Sequence, residues 1–371
     1  MGKNKQKNKQ KNKNKQKNNL PNVSICTPTF NRRPFFKGLI QCIYSQDYPH
    51  EKIEWVIIDD GTDKIEDVLN NPDTQELLKN MKIVYHYENE KMDLGKKRNL
   101  MHQTCTFKGD EDIIVYMDDD DYYPPERVSH SVSKLTQNKE VLCGGASELY
   151  LWFNVLNKMY KFGPYGPNHA TAGTFAFKRK LLKDTSYEND AVLAEEKHFL
   201  KNYTVPFVQF DTFKTILVVS HEQNTFDKKK LLNKNNKFVK ESSLTVKQFI
   251  KDKNIHDFYH SDINDLLKDY EPGDVKNKPK VLKEIDRREK IRENQIKQQI
   301  DKKENSPSGI IVNAPDGKAR ELTIKECKLY MKMKTDETIM LKDNIKKLMN
   351  EMDNLIKENS ILKEQIKKNN M

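Results

Sequence analysis

The sequence has few cysteines and no closely spaced pair of them. Five of its 371 residues are cysteine, an odd number, and no Cys-x-x-Cys segment occurs. Disulfide frameworks and zinc sites are built from closely spaced or paired cysteines, so this pattern argues against both classes. We expect free thiols in a reducing compartment, and therefore a cytoplasmic protein.

Long apolar runs are also missing. No run is long enough to span a bilayer, and the polar N-terminus lacks the apolar segment of a secretory signal. Gln6 stands where a myristoylation motif has Ser or Thr. These absences predict a soluble chain without a lipid or transmembrane anchor.

The first twenty residues lack acidic side chains. Eight lysines between Lys3 and Lys17 alternate with Asn and Gln, and they account for eight of the eleven net positive charges of the chain. A segment of this composition cannot bury enough apolar surface to fold, so residues 1–20 are predicted to be a disordered tail. The tail is either solubilising or a contact to anionic surfaces such as membranes. The remaining charge gives no reason to expect a specific nucleic acid partner.

Short apolar runs alternate with helix-like segments between residues 21 and 226. The runs VSICTPTF, IEWVIIDDG, KIVYHY and DIIVYMDDDD are separated by segments such as RPFFKGLIQCIYSQ and LGKKRNLMHQTC. This alternation predicts an α/β domain with a mainly parallel sheet flanked by helices. Polar clusters follow the runs at 27–32, 59–61 and 118–121. Because the carboxyl ends of parallel strands meet at one edge, we expect these clusters to meet there.

The rest of the chain is polar and rich in lysine. Residues 227–304 are predicted to be a helical extension, and 305–321, with Pro, Gly and Ser, a linker or small hairpin. Residues 322–371 are predicted to form a coiled coil, because leucines recur every seven residues. The seam consists of Leu341, Leu348, Leu355 and Leu362, with Ile345, Met352, Asn359 and Ile366 between them. One Asn in such a seam favours a parallel homodimer. The alternative is a long helix that packs on its own domain.

Four consecutive aspartates, Asp118 to Asp121, follow the apolar run IIVY. Adjacent carboxylates raise each other's pKa, so such a group is costly unless a cation lies among them. A solvated turn, a helix N-terminus and a site for a divalent cation are the competing interpretations. Asp-x-Asp spacing lets two carboxylates bind one ion while diphosphate oxygens complete its coordination, which favours the cation site.

Two further motifs have weaker signals. Asp59 and Asp60 end an apolar run and precede Gly61, so a carboxylate there could accept hydrogen bonds from a nucleobase or a ribose hydroxyl; an ordinary capped turn is the alternative. Lys96 and Arg98 lie near a predicted helix start, where they could bind a diphosphate; an exposed basic helix face is the alternative.

Together these motifs resemble the family 2 glycosyltransferases and their GT-A relatives, over about residues 22–226. The segment VSICTPTFNRRP resembles the first strand and turn of that family, and WVIIDDGT its nucleotide-contacting strand end. LGKKRN resembles the Gly-x-x-x-Arg-Asn segment, and YMDDDDYYPPERV the Asp-x-Asp-Asp motif. The order of the four motifs along the chain is also that of the family.

The resemblance implies a GT-A type fold and a transferase that moves a sugar from a nucleotide-diphosphate sugar to a hydroxyl of a glycan, protein or lipid. A UDP-sugar is the commonest donor, and the expected reaction is inverting. The chain lacks the Gln-x-x-Arg-Trp motif of processive synthases, so we expect no polymer synthesis.

The resemblance also implies roles for individual residues. Asp118 and Asp120 would bind Mn²⁺ or Mg²⁺ with His221 as a third ligand, Asp121 would be an additional acid, and Asp119 would point away. The segment LAEEKHF places Glu195 and Glu196 at the position of the catalytic base, and Glu196 is preferred. The implied donor contacts are Thr27, Thr29, Asn31, Arg32, Asp59, Asp60, Lys96, Arg98, Asp118 and Asp119.

Two other functional classes remain open. A sugar nucleotidyltransferase would share the sheet and the acidic site, but its first strand is followed by a Gly-rich loop, and CTPTFNRRP has no glycine. A non-catalytic scaffold would use the coiled coil and the basic tail. Release of nucleoside diphosphate from sugar nucleotides separates these classes from a transferase.

Overall fold

The computed structural model describes residues 20–193, 196–224, 228–232, 236–313 and 318–369. The predicted tail, residues 1–20, lies outside the described residues apart from Leu20. The chain forms two compact units, which divide between Ile285 and Asp286. None of the described helices is long and apolar enough to cross a bilayer.

Strands and helices alternate through the first unit, as predicted. The strands are β1 Val23–Thr29, β2 Ile53–Asp59, β3 Lys82–Tyr87, β4 Ile113–Tyr116, β5 Cys143–Gly145, β6 Leu149–Phe153, β7 Lys158–Phe162, β8 Ala176–Lys178, β9 Phe207–Gln209, β10 Leu217–Ser220, β11 Val239–Ser242, β12 Pro307–Asn313 and β13 Ala319–Thr323. The α-helices are α1 Phe36–Tyr44, α2 Glu66–Leu69, α3 Pro72–Leu77, α4 Leu94–Thr104, α5 Arg127–Gln137, α6 Glu196–Phe199, α7 Val246–Phe249, α8 Lys253–Asp257, α9 Ile263–Lys268, α10 Pro279–Glu304 and α11 Ile324–Asn369. A π-helical turn, Phe258–Asp262, separates α8 from α9.

Seven strands form the main sheet, in the order β3-β2-β1-β4-β8-β5-β9. The first four are parallel neighbours, and β8 is antiparallel to both β4 and β5. Thr29 of β1 lies opposite Asp59 of β2, and Cys26 lies opposite Tyr116 of β4. The carboxyl ends of β1, β2 and β4 therefore meet at one edge. The predicted α/β class, with a mainly parallel sheet between helices, is confirmed.

The strand β2 shows why these residues form a central strand. All seven of its residues are buried. Trp55 and Ile57 contribute to the hydrophobic cluster that contains α1, while Val56 and Ile58 contribute to the cluster that contains Met101 of α4. Both faces of the strand are covered by helices, which explains its almost continuous apolar run.

A second sheet has the order β10-β6-β7-β11. Two backbone hydrogen bonds between Tyr122 and Leu217, of 3.1 and 2.9 Å, join the loop after β4 to the start of β10. The strand β11 pairs with β7, so the chain beyond the predicted boundary at residue 226 still belongs to the first unit. The division between compact units falls later, at residue 285.

The second unit contains a hairpin and a long helix. The strands β12 and β13 pair antiparallel, and α11 continues for 46 residues. The four leucines of the predicted seam are 53 to 63% exposed on this helix, so its apolar stripe faces solvent within the described chain.

Candidate functional site

The loop after β4 presents its four aspartates alternately outward and inward. The side chains of Asp118 and Asp120 are 29% and 18% exposed. Asp119 and Asp121, between and after them, are buried. Of the four, the two with Asp-x-Asp spacing are therefore the ones that a ligand at the sheet edge can reach.

Asp118 lies between a cation and a close backbone contact. Its Oδ1 is 3.8 Å from Nη2 of Arg98, whose guanidinium lies 4.4 Å over the ring of Tyr116. A Cβ atom at Gly173 would lie only 2.6 Å from Oδ2 of Asp118, so a side chain at this position would push the carboxylate aside. Arg98 thus contributes a positive charge directly beside the exposed acid.

Asp120 contacts His221, which follows β10. Burial alone would raise the pKa of Asp120, but the hydrogen bond from His221 and the nearby cations hold it below its usual value. His221 Nε2 is 3.1 Å from Oδ2 of Asp120, and Arg32 Nη2 is 4.0 Å from the same oxygen. Burial lowers the pKa of His221 to about 4, so the imidazole is neutral near pH 7 and can bind a metal.

The donor atoms at this loop fit a hard divalent cation with few protein ligands. In an octahedron with bonds of about 2.1 Å, neighbouring ligands are about 3 Å apart. The 3.1 Å between Asp120 Oδ2 and His221 Nε2 is close to that spacing, and the same two atoms form a hydrogen bond that a bound ion would have to replace. Among the described residues, no group of three or more His, Cys, Asp or Glu side chains could hold a metal ion. An ion at this loop would need further ligands from water or phosphate, as Mg²⁺ and Mn²⁺ commonly take.

The two inward aspartates, Asp119 and Asp121, make contacts inside the protein. Asp119 Oδ1 lies 3.9 Å from Nε of Arg32, and burial together with the charge of Asp120 raises the pKa of Asp119 to about 7. Asp121 Oδ1 accepts a hydrogen bond of 2.9 Å from the backbone of Val219, and burial raises the pKa of Asp121 to about 8. Asp119, predicted to point away from the cation site, is buried beside Arg32.

Asn31 and Arg32, which follow β1, connect three distant segments. Arg32 donates to the carbonyl of Gln223 at 2.8 Å and to that of Gly273 at 3.3 Å. Asn31 donates to the carbonyl of Pro272 at 2.9 Å and has a positive φ of 52°. Both residues reach the site edge, where they hold residues 272–273 against the loop after β1.

Thr27 and Thr29 are buried within β1. Thr27 donates to the carbonyl of Met117 at 2.8 Å and accepts from Trp55 Nε1 at 2.9 Å, so its hydroxyl already joins β1 to β2 and to the residue that follows β4. The carbonyl of Thr29 accepts a hydrogen bond of 2.7 Å from Lys97. These hydrogen bonds fix the carboxyl end of β1 in place through contacts inside the protein.

Asp59 and Asp60 also use their carboxylates inside the protein. Burial raises the pKa of Asp59, while its hydrogen bonds oppose that rise. Its oxygens accept from the backbone of Gly61 at 2.9 Å and of Ile65 at 3.1 Å, and from the Tyr85 hydroxyl at 2.9 Å. Asp60 accepts from the backbone of Met92 at 2.7 Å and pairs with Lys97. Both therefore fix the turn after β2.

The helix α4 presents Lys97 and Arg98 to the site, while Lys96 is exposed to solvent. Gly95, Lys97, Arg98, Met101 and His102 are its buried residues. Lys97 and Met101 are four positions apart and so lie on the same face of the helix. An apolar residue four positions after a lysine was therefore the sequence signal that Lys97 faces the protein. Lys97 is the residue in this motif that the sequence interpretation missed.

The motif around α4 also fixes the loop before α6. A Cβ atom at Gly95 would lie 1.9 Å from the carbonyl oxygen of Glu188, so only glycine allows this contact. Asn99 exchanges two hydrogen bonds with the backbone of Tyr187, of 2.9 and 3.0 Å. The Gly-x-x-x-Asn spacing therefore positions the loop that leads toward Glu196.

Glu196 is the first residue of α6, and Glu195 lies outside the described residues. Glu196 Oε1 accepts a hydrogen bond of 3.3 Å from the backbone of Ala172. The next residue, Gly173, is the one in close contact with Asp118. The candidate base is thus joined to the exposed aspartate through two consecutive residues.

Two lysines near the aspartates come from beyond residue 226. Lys278 is 7% exposed, and the charges of Asp119 and Asp120 act on it. Lys228 donates to the carbonyl of Val219 at 3.1 Å, and its charge acts on Asp121. Nothing in their local sequence distinguishes them from the other lysines of this Lys-rich stretch, so only the fold reveals them.

Solved structures show limited similarity to this chain. The mannosyltransferase PcManGT from Pyrobaculum calidifontis, in complex with GDP-Man and Mn²⁺, is 18% identical with a TM-score of 0.44, over 56% of this chain and 59% of that chain. TarS 1-349 from S. aureus, in complex with UDP-GlcNAc, is 16% identical with a TM-score of 0.40, over 54% of this chain and 59% of that chain. The chain thus spans less than two thirds of these proteins, and TM-scores below 0.5 are too low to argue from one to the other.

No curated protein sequence matches the chain significantly. Residues 24–186, however, match the family model described as Glycosyl transferase family 2. The matched span contains the aspartate loop and α4, while Glu196 and His221 lie beyond it. The predicted resemblance and the expectation of a glycosyltransferase domain are confirmed. The chain therefore carries a glycosyltransferase family 2 domain.

Proposed function

We propose that the chain is a metal-dependent glycosyltransferase that moves a sugar from a nucleotide-diphosphate sugar to an acceptor hydroxyl. The observation that carries the proposal is the aspartate loop of the family 2 domain, where Asp118 and Asp120 are partly exposed and His221 contacts Asp120. A UDP-sugar is the first donor to test. The expected transfer is single and inverting.

Asp118, Asp120 and His221 would hold Mn²⁺ or Mg²⁺ once their side chains close on the ion, because as they stand they are not among any three-residue group of the described chain that could hold a metal. The bound ion would neutralise charge on the departing diphosphate. Arg98, 3.8 Å from Asp118, would contact the same phosphates. Asp59 and Asp60 remain candidates for the base or ribose of the donor. Such a contact requires the nucleotide to replace a hydrogen bond that either carboxylate already accepts from the protein.

The acceptor side of the reaction would use Glu196, with Glu195 as the alternative. The carboxylate takes the proton of the acceptor hydroxyl while the oxygen bonds to the anomeric carbon. The bond from that carbon to the diphosphate oxygen breaks, and its electron pair leaves with the nucleoside diphosphate. Attack opposite the leaving group inverts the anomeric centre.

A donor screen tests the proposed function. We expect nucleoside diphosphate release from at least one of a panel of UDP- and GDP-sugars, in the presence of Mn²⁺ and an alcohol acceptor mixture. Because the metal stabilises the leaving group, excess EDTA should lower the rate by about 10³-fold, and added Mn²⁺ should restore it. If no donor binds or is turned over, the chain is not a transferase, and the scaffold becomes the better interpretation.

We also propose that α11 forms a parallel homodimeric coiled coil. Its leucine stripe is exposed along the helix, and Asn359 at the seam position favours two strands. We separately propose that the protein is cytoplasmic. The reducing conditions of that compartment agree with its five cysteines, which are all free thiols.

Substituting one seam leucine should abolish the dimer. We expect wild-type protein to have twice the chain mass in light scattering, and Leu348→Asp to be monomeric, because a buried carboxylate at the seam is not paired. Asn350→Asp, two positions along on the outward face, is the matched control and should remain dimeric. A monomeric wild type at micromolar concentration would contradict the proposal.

A further inference from the structure

Four aromatic rings form a continuous row on the first unit. Phe238, Tyr165, His169 and Tyr203 follow one another with ring centroids 5.2, 5.2 and 5.5 Å apart. Tyr165 is 41% exposed, and the other three are half-buried. We call these four residues the aromatic row. They come from three separate segments, so the fold rather than the local sequence brings them together.

The aromatic row borders a cavity of about 420 Å³ at Tyr165. Its lining includes Pro164, Tyr165, Pro167, Gln209 and Glu148. Gln209 Nε2 donates to the carbonyl of Pro167 at 2.7 Å and to that of His169 at 2.9 Å. These bonds fix the loop that carries two of the rings, so the cavity is formed before any ligand arrives.

The same loop is anchored from its other side. Ser147 Oγ accepts hydrogen bonds from the backbone of Tyr165 at 2.8 Å and of Gly166 at 3.0 Å. Glu148 is paired with Lys161 at 2.7 Å, so the cavity holds no unbalanced charge from this carboxylate. A rigid loop and a balanced charge suit a neutral, polar ligand.

The Tyr203 end of the aromatic row approaches the candidate base. His169 lies three residues before Ala172, whose backbone N–H donates to Glu196 Oε1 at 3.3 Å. The backbone N–H of Leu200, in the turn that leads to Tyr203, donates to the carbonyl of Glu196 at 2.9 Å. Glu196 is in turn hydrogen-bonded to Ala172, next to the segment at Asp118. The row therefore leads from the cavity toward Glu196, the proposed base.

The backbone that positions Tyr203 is strained. Lys201, Asn202 and Tyr203 all have positive φ angles, of 49°, 56° and 65°. For residues other than glycine this conformation costs roughly 1 to 2 kcal/mol each, and such strain persists where the surrounding structure imposes it, often at functional sites. This turn places the ring of Tyr203 5.5 Å from that of His169, measured between ring centroids.

We propose that the aromatic row binds the acceptor, and that the acceptor is a carbohydrate chain; this rests on the proposed transferase function. A sugar ring has C–H faces that pack on aromatic rings and hydroxyl edges that bond to amides and hydroxyls. Tyr165 and Asn168 offer both kinds of contact along the row, while the amide of Gln209 is used to hold the loop. A lipid chain needs an unbroken apolar groove and fits this surface less well. Lys237 is a cation at the Phe238 end of the row, and its Nζ already lies 5.2 Å over that ring.

Binding of neutral oligosaccharides tests this inference directly. The probes are cellohexaose, maltohexaose and chitohexaose, observed by saturation-transfer NMR on the full chain. We expect at least one probe to bind the wild type, and Tyr165→Ala to weaken that binding by about tenfold or more, since it removes the most exposed ring of the row. Tyr165→Phe keeps the ring and should retain most of the binding.

The matched control is Tyr44→Ala. Tyr44 is 43% exposed and lies beside His50 with ring centroids 5.8 Å apart, so it reproduces the exposed Tyr–His pair at another place on the same unit. Its loss should leave glycan binding unchanged. In transfer assays, Tyr165→Ala should raise the KM for the bound glycan much more than it lowers kcat.

Failure of this inference can be told apart from failure of the proposed function. If the wild type turns over a donor but binds none of the three probes, or if Tyr165→Ala binds as tightly as Tyr44→Ala, the aromatic row is not the acceptor site. If a probe binds through Tyr165 but no donor is turned over, the row is a carbohydrate site and the transferase proposal is wrong.

Discussion

Asp120→Asn should lower sugar transfer by about 10³-fold or more while the protein remains folded. The substitution removes one charge from the proposed metal ligands, and the loss of leaving-group stabilisation by a metal is worth several kcal/mol, with each 1.36 kcal/mol a factor of ten in rate. The amide oxygen of Asn can still contact His221, 3.1 Å from the present carboxylate. Arg32 keeps its hydrogen bonds to two backbone carbonyls, so we expect no loss of structure.

The measurement is the rate of nucleoside diphosphate release at saturating donor, over a series of Mn²⁺ concentrations. Asp110→Asn is the matched control, because Asp110 precedes β4 at the opposite end of the strand, is 55% exposed and pairs with Lys183. The control should have the wild-type rate and metal response. Full metal-dependent activity in Asp120→Asn would show that the metal lies elsewhere.

The place of the site could be predicted from the sequence because it depends on local patterns. Apolar runs that end in acids predict strand ends, and parallel pairing then brings Asp59 and the loop after Tyr116 to one edge. Asp-x-Asp spacing likewise predicts which two aspartates share an orientation, and Asp118 and Asp120 are the two exposed ones. These inferences need no knowledge of distant contacts.

The detailed role of each residue depends on partners far away in the chain. Arg32 bonds to the carbonyl of Gly273, 241 residues later, and this contact makes it a connection between segments as well as a cation at the site. Lys278 reaches the aspartates for the same reason. Lys96 and Lys97 differ only in the helix face on which they lie, and that face is decided by the packing of α4 on the sheet.

Glu196→Gln should lower kcat by about 10² to 10⁴-fold, the usual contribution of a general base, with little change in donor binding. The amide keeps an oxygen that can accept the 3.3 Å hydrogen bond from Ala172, so the variant loses the proton acceptor and retains the local structure. Release of nucleoside diphosphate should be measured as a function of pH at saturating acceptor. The wild type should lose activity on the acidic side as the base becomes protonated, and the variant should lack that limb.

Glu195→Gln is the matched comparison, because it makes the same chemical change one residue earlier. We expect it to retain activity within a factor of about ten and to keep the acidic limb, since only one carboxylate can take the proton of the acceptor hydroxyl. The opposite result, with the large loss in Glu195→Gln, would assign the base to that residue. Comparable small losses in both variants would mean that neither is the base, and that the acceptor proton leaves by another group.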